Sequence, residues 1–390
     1  MLKNSPIPYG RQSISDEDIQ AVVDVLRSDW ITQGPAIGRF EQAVADYCGA
    51  HYAVAVNSAT SALHIACLAA GLGPSDTLWT SPNTFVASAN CGLYCGAGVD
   101  FVDIDPHTYN LSVERLEEKL VAAQQNGTLP KLLIPVHFAG QSCDMARIAD
   151  LARIYGFRVV EDASHAIGGR YRRTVIGSCS FSDMTVFSFH PVKIITTGEG
   201  GMVLTNRREL YEKLARLRSH GITRDSALME GDSHGPWYYQ EIELGFNYRM
   251  TDMQAALGLS QLKRLDGFVA RRQQLAGRYN QALSNLPLVL PYQHPDTCSA
   301  FHLYVIRLQL DRIEKTHRQV FEELRAQNIL VNLHYIPVYA QPYYKRFGFR
   351  HGDFPAAESY YREALSIPLY SGLSDEDQDR VITALREIVR

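Results

Sequence analysis

Short apolar runs alternate with stretches of helix-spaced apolar positions along most of this chain. Tyr52–Val56 is such a run, and residues 61–72 after it repeat their apolar positions at helical spacing. A run at 99–104 precedes a helical stretch over 112–123. Two more runs, 131–136 and 157–161, bracket a helix over Met145–Tyr155, and runs at 185–189 and 202–205 complete the series. This order predicts a mainly parallel sheet with helices on both faces, an α/β architecture. Ahead of it, Ser15-Asp16-Glu17-Asp18 reads as a helix start, with Ser15 as the cap and Asp18 reaching back. Behind it, residues 251–286 form a long helical stretch with room for a break. A strand at 303–308 and helices at 315–327 and 375–389 then suffice for a smaller α+β domain. The expected division is a large domain with an N-terminal arm over 1–265 and the smaller domain over 266–390.

Composition narrows the class. The chain of 390 residues is 46% hydrophobic and 21% charged, as ordinary globular proteins are. A net charge of -4 and a pI near 6.4 supply no basic field for nucleic acid or an anionic membrane. Any anionic ligand must be held by a local site. The N-terminal segment lacks the apolar run of a signal peptide and no stretch reaches bilayer length, so a cytoplasmic protein is expected. The seven scattered cysteines suit reduced thiols. Cys91 and Cys95, on one helix face, read as small buried residues rather than a metal pair. HExxH, GxxxxGK[ST] and a GxGxxG after the first strand are all missing. Zinc-hydrolase, P-loop and dinucleotide readings lapse, and no metal is expected.

Ligands of parallel sheets bind at the carboxyl ends of the strands, so the residues there carry the chemistry. Asn57-Ser58-Ala59-Thr60-Ser61 follows a strand and opens a helix, where free amides and hydroxyls suit a phosphate; plain capping uses the same residues. Val159-Val160-Glu161-Asp162 ends in carboxylates. A pyridine-type cofactor needs an anion against its ring nitrogen, and Asp162 is the candidate, with turn formation as the alternative. His165 follows three residues on. Of the eight lysines, 119, 213 and 315 read as solvated on amphipathic helices, while Lys3 is terminal and Lys131 precedes a strand. Lys263 and Lys345 sit beside arginines. Lys193 alone follows an apolar strand and enters a small-residue loop, Thr196-Thr197-Gly198-Glu199-Gly200-Gly201. A partly desolvated, cation-rich site would lower its pKa from the usual ~10.4, as a nucleophilic amine requires. Ser188 lies close enough in sequence to share a phosphate, and the glycines permit either close ligand approach or a tight hairpin. Phe85, after another strand, suits stacking on an aromatic cofactor or a place in the core.

In this order and at these positions the residues resemble the sugar aminotransferases of the fold-type I pyridoxal-phosphate (PLP) superfamily, the DegT/DnrJ/EryC1/StrS group. The resemblance runs through residues 30–35, 161–165, 187–201 and 244–252 and covers nearly the whole chain. It implies that Lys193 carries PLP covalently, that Asp162 pairs with the ring nitrogen and that Phe85 stacks on the ring. It also implies that His165 lies near the cofactor and that Thr60, Ser61 and Ser188 hold its phosphate, joined by Asn247 of a neighbouring subunit. Tyr9, Thr32, Gln33, Gly34, His334 and Tyr335 become substrate-side residues, with Arg249 near the partner's substrate. Dehydratase relatives carry histidine where this chain has Lys193, which favours transamination. The implied activity moves the amino group of L-glutamate to a nucleotide-linked keto-sugar in a homodimer with shared sites. Residues 7–12 and 332–338 resemble segments of members acting on a UDP-linked 4-keto-6-deoxy-N-acetylhexosamine. A GDP- or dTDP-linked keto-sugar is the alternative within the family. A non-catalytic regulatory protein is the alternative outside it, and Lys193 together with Asp162 weighs against that reading.

Overall fold

A computed structural model describes residues 5–389. Lys3, set aside above as terminal, lies outside the described residues. The N-terminal arm forms β1 (Ile7–Pro8), parallel to the strand Ile329–Leu330. α1 (Asp16–Leu26) is closed by the expected capping box, Ser15 accepting the Asp18 amide and Asp18 accepting that of Ser15. α2 (Pro35–Cys48), absent from the sequence expectations, starts on a proline that loses no helical donor there. The strand–helix series follows as β2 (Tyr52–Val56), α3 (Ala59–Ala69), β3 (Thr77–Thr80), α4 (Ala87–Tyr94), β4 (Gly98–Phe101) and α5 (Val113–Asn126). It continues with β5 (Leu132–Ile134), α6 (Met145–Tyr155) and β6 (Arg158–Asp162). A hairpin of β7 (Arg170–Tyr171) and β8 (Thr174–Val175) precedes β9 (Met184–Ser188), β10 (Gly201–Thr205) and α7 (Arg208–Arg218). The stretch 251–286 breaks into α8 (Asp252–Leu262) and α9 (Leu265–Leu283).

Seven strands form one sheet in the order β2-β10-β9-β6-β5-β3-β4. β9, β6, β5, β3 and β4 are parallel, whereas β10 is antiparallel to both its neighbours. The connection from β9 to β10 carries no helix, so the chain turns back instead of crossing over. Strand periodicity divides the buried side chains between the faces. Val54, Val186 and Val203 pack with α3 and α7, while Ala53, Phe187 and Met202 pack with α2 and α8. Both faces are covered, which is why β9 and β10 are buried at every position.

A smaller α+β unit is built on the antiparallel strands Leu288–Val289, Tyr304–Leu308 and Ala364–Ile367. Its core takes Tyr304, Ile306 and Leu365 from strands and Val381 and Leu385 from the last helix. α9 joins this core to that of the large sheet: Leu265, Phe268 and Val269 belong to one, Leu275, Tyr279 and Leu283 to the other. Arg272 lies between the two groups, fully buried. Its Nη1 is 2.9 Å from the Leu369 carbonyl and 3.2 Å from those of Phe301 and His302. Burial lowers its pKa to about 10, which leaves it charged at neutral pH.

Lys119 corrects an expectation. It is not solvated: its ammonium donates to the Phe101 carbonyl, pairs with Asp100 at 2.6 Å and lies 4.7 Å above the Trp79 ring. α5 sets it across the end of β4, a placement its helical neighbours do not reveal. Among the described residues no helix is long and apolar enough to cross a membrane.

Replacing Arg272 by leucine should leave three buried carbonyls without their donor. The expected cost is about 3 kcal/mol or more of stability, measured by denaturant unfolding.

Candidate active site

The register of the sheet brings distant segments to one edge. Asp162 pairs with Val186 two residues before Ser188, Ser188 with Gly201, and Gly201 with Val56, so the ends of β6, β9 and β2 lie side by side. Successive residues of β6 face opposite ways. Glu161 is consumed on the far face, accepting from Ser182 Oγ at 2.5 Å and Thr185 Oγ1 at 3.2 Å, with His137 Nε2 at 2.6 Å. Asp162 faces the site. Its carboxylate accepts from Ser88 Oγ at 2.7 Å and from the Ser164 amide at 3.1 Å.

Lys193 sits in the turn between β9 and β10. That turn is held by Phe189, whose amide donates to Gly200 and whose carbonyl accepts from the amide and hydroxyl of Thr197 and Thr196 respectively. Ile194 and Ile195 anchor it in the core. Burial lowers the Lys193 pKa to about 8, while the Asp162 carboxylate pushes the other way. Of the two expected causes, desolvation acts and cation-rich surroundings do not.

α3 opens beside this turn. Ser58 caps it, accepting the Ser61 amide at 3.1 Å, and Ser61 Oγ donates to Asn57 Oδ1 at 2.7 Å. The first-turn amides of Ala59 and Thr60 have no acceptor within the helix. Gly201 passes so close that a Cβ there would lie 2.6 Å from the backbone of Ser58 and Ala59. These features fit PLP: free amides and hydroxyls for a phosphate, a desolvated amine for an aldehyde, and a buried carboxylate for a basic ring nitrogen.

Tyr9, His165, His334 and Tyr335 gather at the same place. Tyr9 and His334 lie with ring centroids 5.0 Å apart, and Tyr335 is 6.2 Å from Phe85. The amide of Ala139 donates to His165 Nδ1 at 3.3 Å, so the ring proton sits on Nε2, 3.1 Å from the Tyr335 hydroxyl. Burial and Lys193 hold His165 well below the usual histidine range and His334 at about 3, so both are neutral. Phe85 is 57% exposed and closes no core.

The remaining residues expected on the substrate side fall elsewhere. Asp252 accepts the amides of Gly34 and Ala36, fixing the loop that carries Thr32 and Gln33. Gln33, Gly34 and Arg249 line a second cavity with Glu41, Arg218 and Ser219, none of which belongs to the Lys193 group. Arg249 bridges to Val56 and Asn247 to Ser219 through the backbone. The Asn247 side chain is exposed.

Sequence reasoning missed Ser88, which holds Asp162, and Asn83, whose Oδ1 accepts the Tyr335 amide while its Nδ2 is buried without a partner. Neither carries a local signal, because a serine inside a helix and an asparagine in a turn are commonplace.

The model of the DegT/DnrJ/EryC1/StrS aminotransferase family matches residues 12–386. The spore coat polysaccharide biosynthesis protein SpsC of Bacillus subtilis is 42% identical over 100% of this chain and 98% of its own. GDP-perosamine synthase of Caulobacter vibrioides is 38% identical over 94% of each chain. Among solved structures, Helicobacter pylori PseC, an aminotransferase involved in the biosynthesis of pseudoaminic acid, superposes with a TM-score of 0.89 at 29% identity, covering 99% of both chains. A family model spanning almost the whole chain, and a relative this similar from end to end, establish that the chain belongs to the DegT/DnrJ/EryC1/StrS family of PLP-dependent sugar aminotransferases.

Proposed function

We propose that this aminotransferase moves the amino group of L-glutamate to C4 of a UDP-linked 4-keto-6-deoxy-N-acetylhexosamine. The chain resembles UDP-4-amino-4,6-dideoxy-N-acetyl-β-L-altrosamine transaminase of pseudaminic acid biosynthesis, and its likeness to PseC over both full lengths is the observation that carries the reading. A GDP-linked keto-sugar is the second reading, favoured by the 38% identity to GDP-perosamine synthase.

PLP, when bound, supplies the electron sink and carries the amino group between donor and acceptor. The chain's residues do the rest. Lys193 Nζ holds the cofactor, takes the α-proton of glutamate in the first half-reaction and delivers a proton to the sugar C4 in the second. Its lowered pKa keeps part of the amine uncharged near neutral pH. Asp162, positioned by Ser88 and Ser164, holds the proton on the ring nitrogen. Thr60, Ser61 and Ser188 would hold the phosphate, and Phe85 and His165 would meet the ring. Tyr9, His334 and Tyr335 contact the sugar.

The pocket is completed in a homodimer. Asn247 of the partner subunit reaches the phosphate, and Thr32, Gln33, Gly34 and Arg249 reach the partner's substrate. Trp30, Ile31 and Leu244 support this reading: they flank that second group and are 57%, 50% and 78% exposed, an apolar surface suited to cover by another subunit.

Incubation with glutamate and a panel of UDP-, GDP- and dTDP-linked keto-sugars tests the substrate. The UDP sugar should gain the mass of amination fastest; preference for a GDP sugar would select the second reading. Covalent capture of added PLP by the apoprotein at Lys193 should rise with pH to a midpoint near 8. A midpoint near ~10.4 would mean that Lys193 is not desolvated. Lys193→Ala and Asn247→Asp homodimers should each be nearly inactive, and exchange of their subunits should restore one working pocket. Background activity in dimers proven to have exchanged would confine the site to one chain.

A further inference from the structure

Behind His165 lies a second buried histidine that the mechanism above does not use. His302, 4% exposed, comes from the smaller unit just before the strand Tyr304–Leu308, whereas His165 follows β6 of the large sheet. Their ring centroids are 4.4 Å apart at an interplanar angle of 42°. Both are held by one turn, Phe138–Gly140. Its Ala139 amide donates to His165 Nδ1, while its Ala139 and Gly140 carbonyls accept the amides of Leu303 and Ala300. Gly140 has φ +103, and a Cβ there would lie 2.8 Å from the Phe301 amide nitrogen and 3.0 Å from both the His165 carbonyl and the His302 nitrogen. The turn thus sets the spacing of the two rings. From the other side, Arg272 Nη1 holds the His302 carbonyl at 3.2 Å.

His302 Nδ1 is buried without a hydrogen-bond partner among the described residues, so no side chain of the pocket is bonded to it. What the ring offers His165 is a flat surface. We propose that His302 is a positioning residue for transamination: its ring, packed on His165, holds the ring plane in which Nδ1 accepts from the Ala139 amide, and so the tautomer in which Nε2–H is donated to Tyr335. The hydroxyl proton of Tyr335 is then left to point into the Lys193 pocket, because its oxygen already accepts from His165. Burial, and the positive charges of Lys193 and Arg272 nearby, keep His302 uncharged, so it adds no cation to compete with Lys193. This inference rests on the reading of the Lys193 pocket as the transamination site.

Two substitutions separate ring from nitrogen. His302→Leu keeps the bulk and removes the flat ring; His302→Phe keeps a flat ring and removes both nitrogens. NMR of histidine-15N-labelled protein without added cofactor reads the tautomer, with His165→Gln identifying the His165 signals. A single Nε2–H form is expected in wild type and His302→Phe, and a mixture of tautomers in His302→Leu. In the PLP-loaded enzyme, His302→Leu should lower kcat about 10- to 100-fold with KM for both substrates changed less than about twofold. His302→Phe should recover most of that loss. An unchanged tautomer and kcat in His302→Leu would overturn the proposal. So would a His302→Phe variant as impaired as His302→Leu, since the function would then lie in a nitrogen. Should His302→Leu fail to fold, the tautomer in His302→Phe decides: a retained Nε2–H form supports the role, a mixture sinks it. Failure of the pocket reading itself looks different, as wild-type protein in which borohydride traps no PLP on Lys193.

Discussion

A charged guanidinium inside the protein, with three backbone carbonyls around it, ties the two halves of the site together. Arg272 sits on α9 where that helix passes from the core of the large sheet to the core of the smaller unit. Its side chain holds the carbonyls of Phe301, His302 and Leu369. Leu369 in turn donates its amide to the Tyr9 carbonyl, so the N-terminal arm is fixed through the same point. A buried charge tolerates little displacement, because moving any of these carbonyls strands it in a medium that solvates it poorly. The segment that carries Tyr9 and the segment whose His302 backs His165 therefore share one anchor.

Inside the pocket the opposing charges are few and well separated in role. Lys193 is the amine and Asp162 the carboxylate, while His165, His302 and His334 are all driven toward the neutral form by burial and by Lys193. Neutral imidazoles donate and accept hydrogen bonds without adding charge, so His165 can hold Tyr335 without repelling a protonated Lys193. The alternation of β6 matters equally. Glu161 is spent on Ser182, Thr185 and His137 beneath the sheet, which leaves Asp162 alone to meet a cofactor.

The residues proposed for the substrate side divide between two places on one chain. Tyr9, His334 and Tyr335 stand at Lys193, whereas Gln33, Gly34 and Arg249 line a separate cavity beside exposed apolar residues. Asp252 pins the loop of Gln33 and Gly34 to α8 through the amides of Gly34 and Ala36. In the proposed homodimer each chain would lend its second group to the other's first.

Much of this was legible in the residues alone, for reasons that are local. Strand ends, a helix cap at Ser58 and an isolated lysine after an apolar strand are written in neighbouring positions, and so Lys193, Asp162 and the α3 N-terminus were identified from them. The capping box at Ser15 and the helix Met145–Tyr155 were likewise readable, because capping and periodicity act within a few residues. Contacts across the chain were not. Ser88 lies 74 residues from Asp162, and Asn83 lies 252 from Tyr335. Lys119 looked solvated until α5 was laid against Trp79 and Asp100. The low pKa of Lys193 follows the same division. The sequence by itself marked Lys193 and Asp162 as the candidates, since one follows an apolar strand into a small-residue loop and the other ends a strand. Only the tertiary structure decided that desolvation, rather than neighbouring cations, frees the amine, because burial is a sum over residues from every part of the fold.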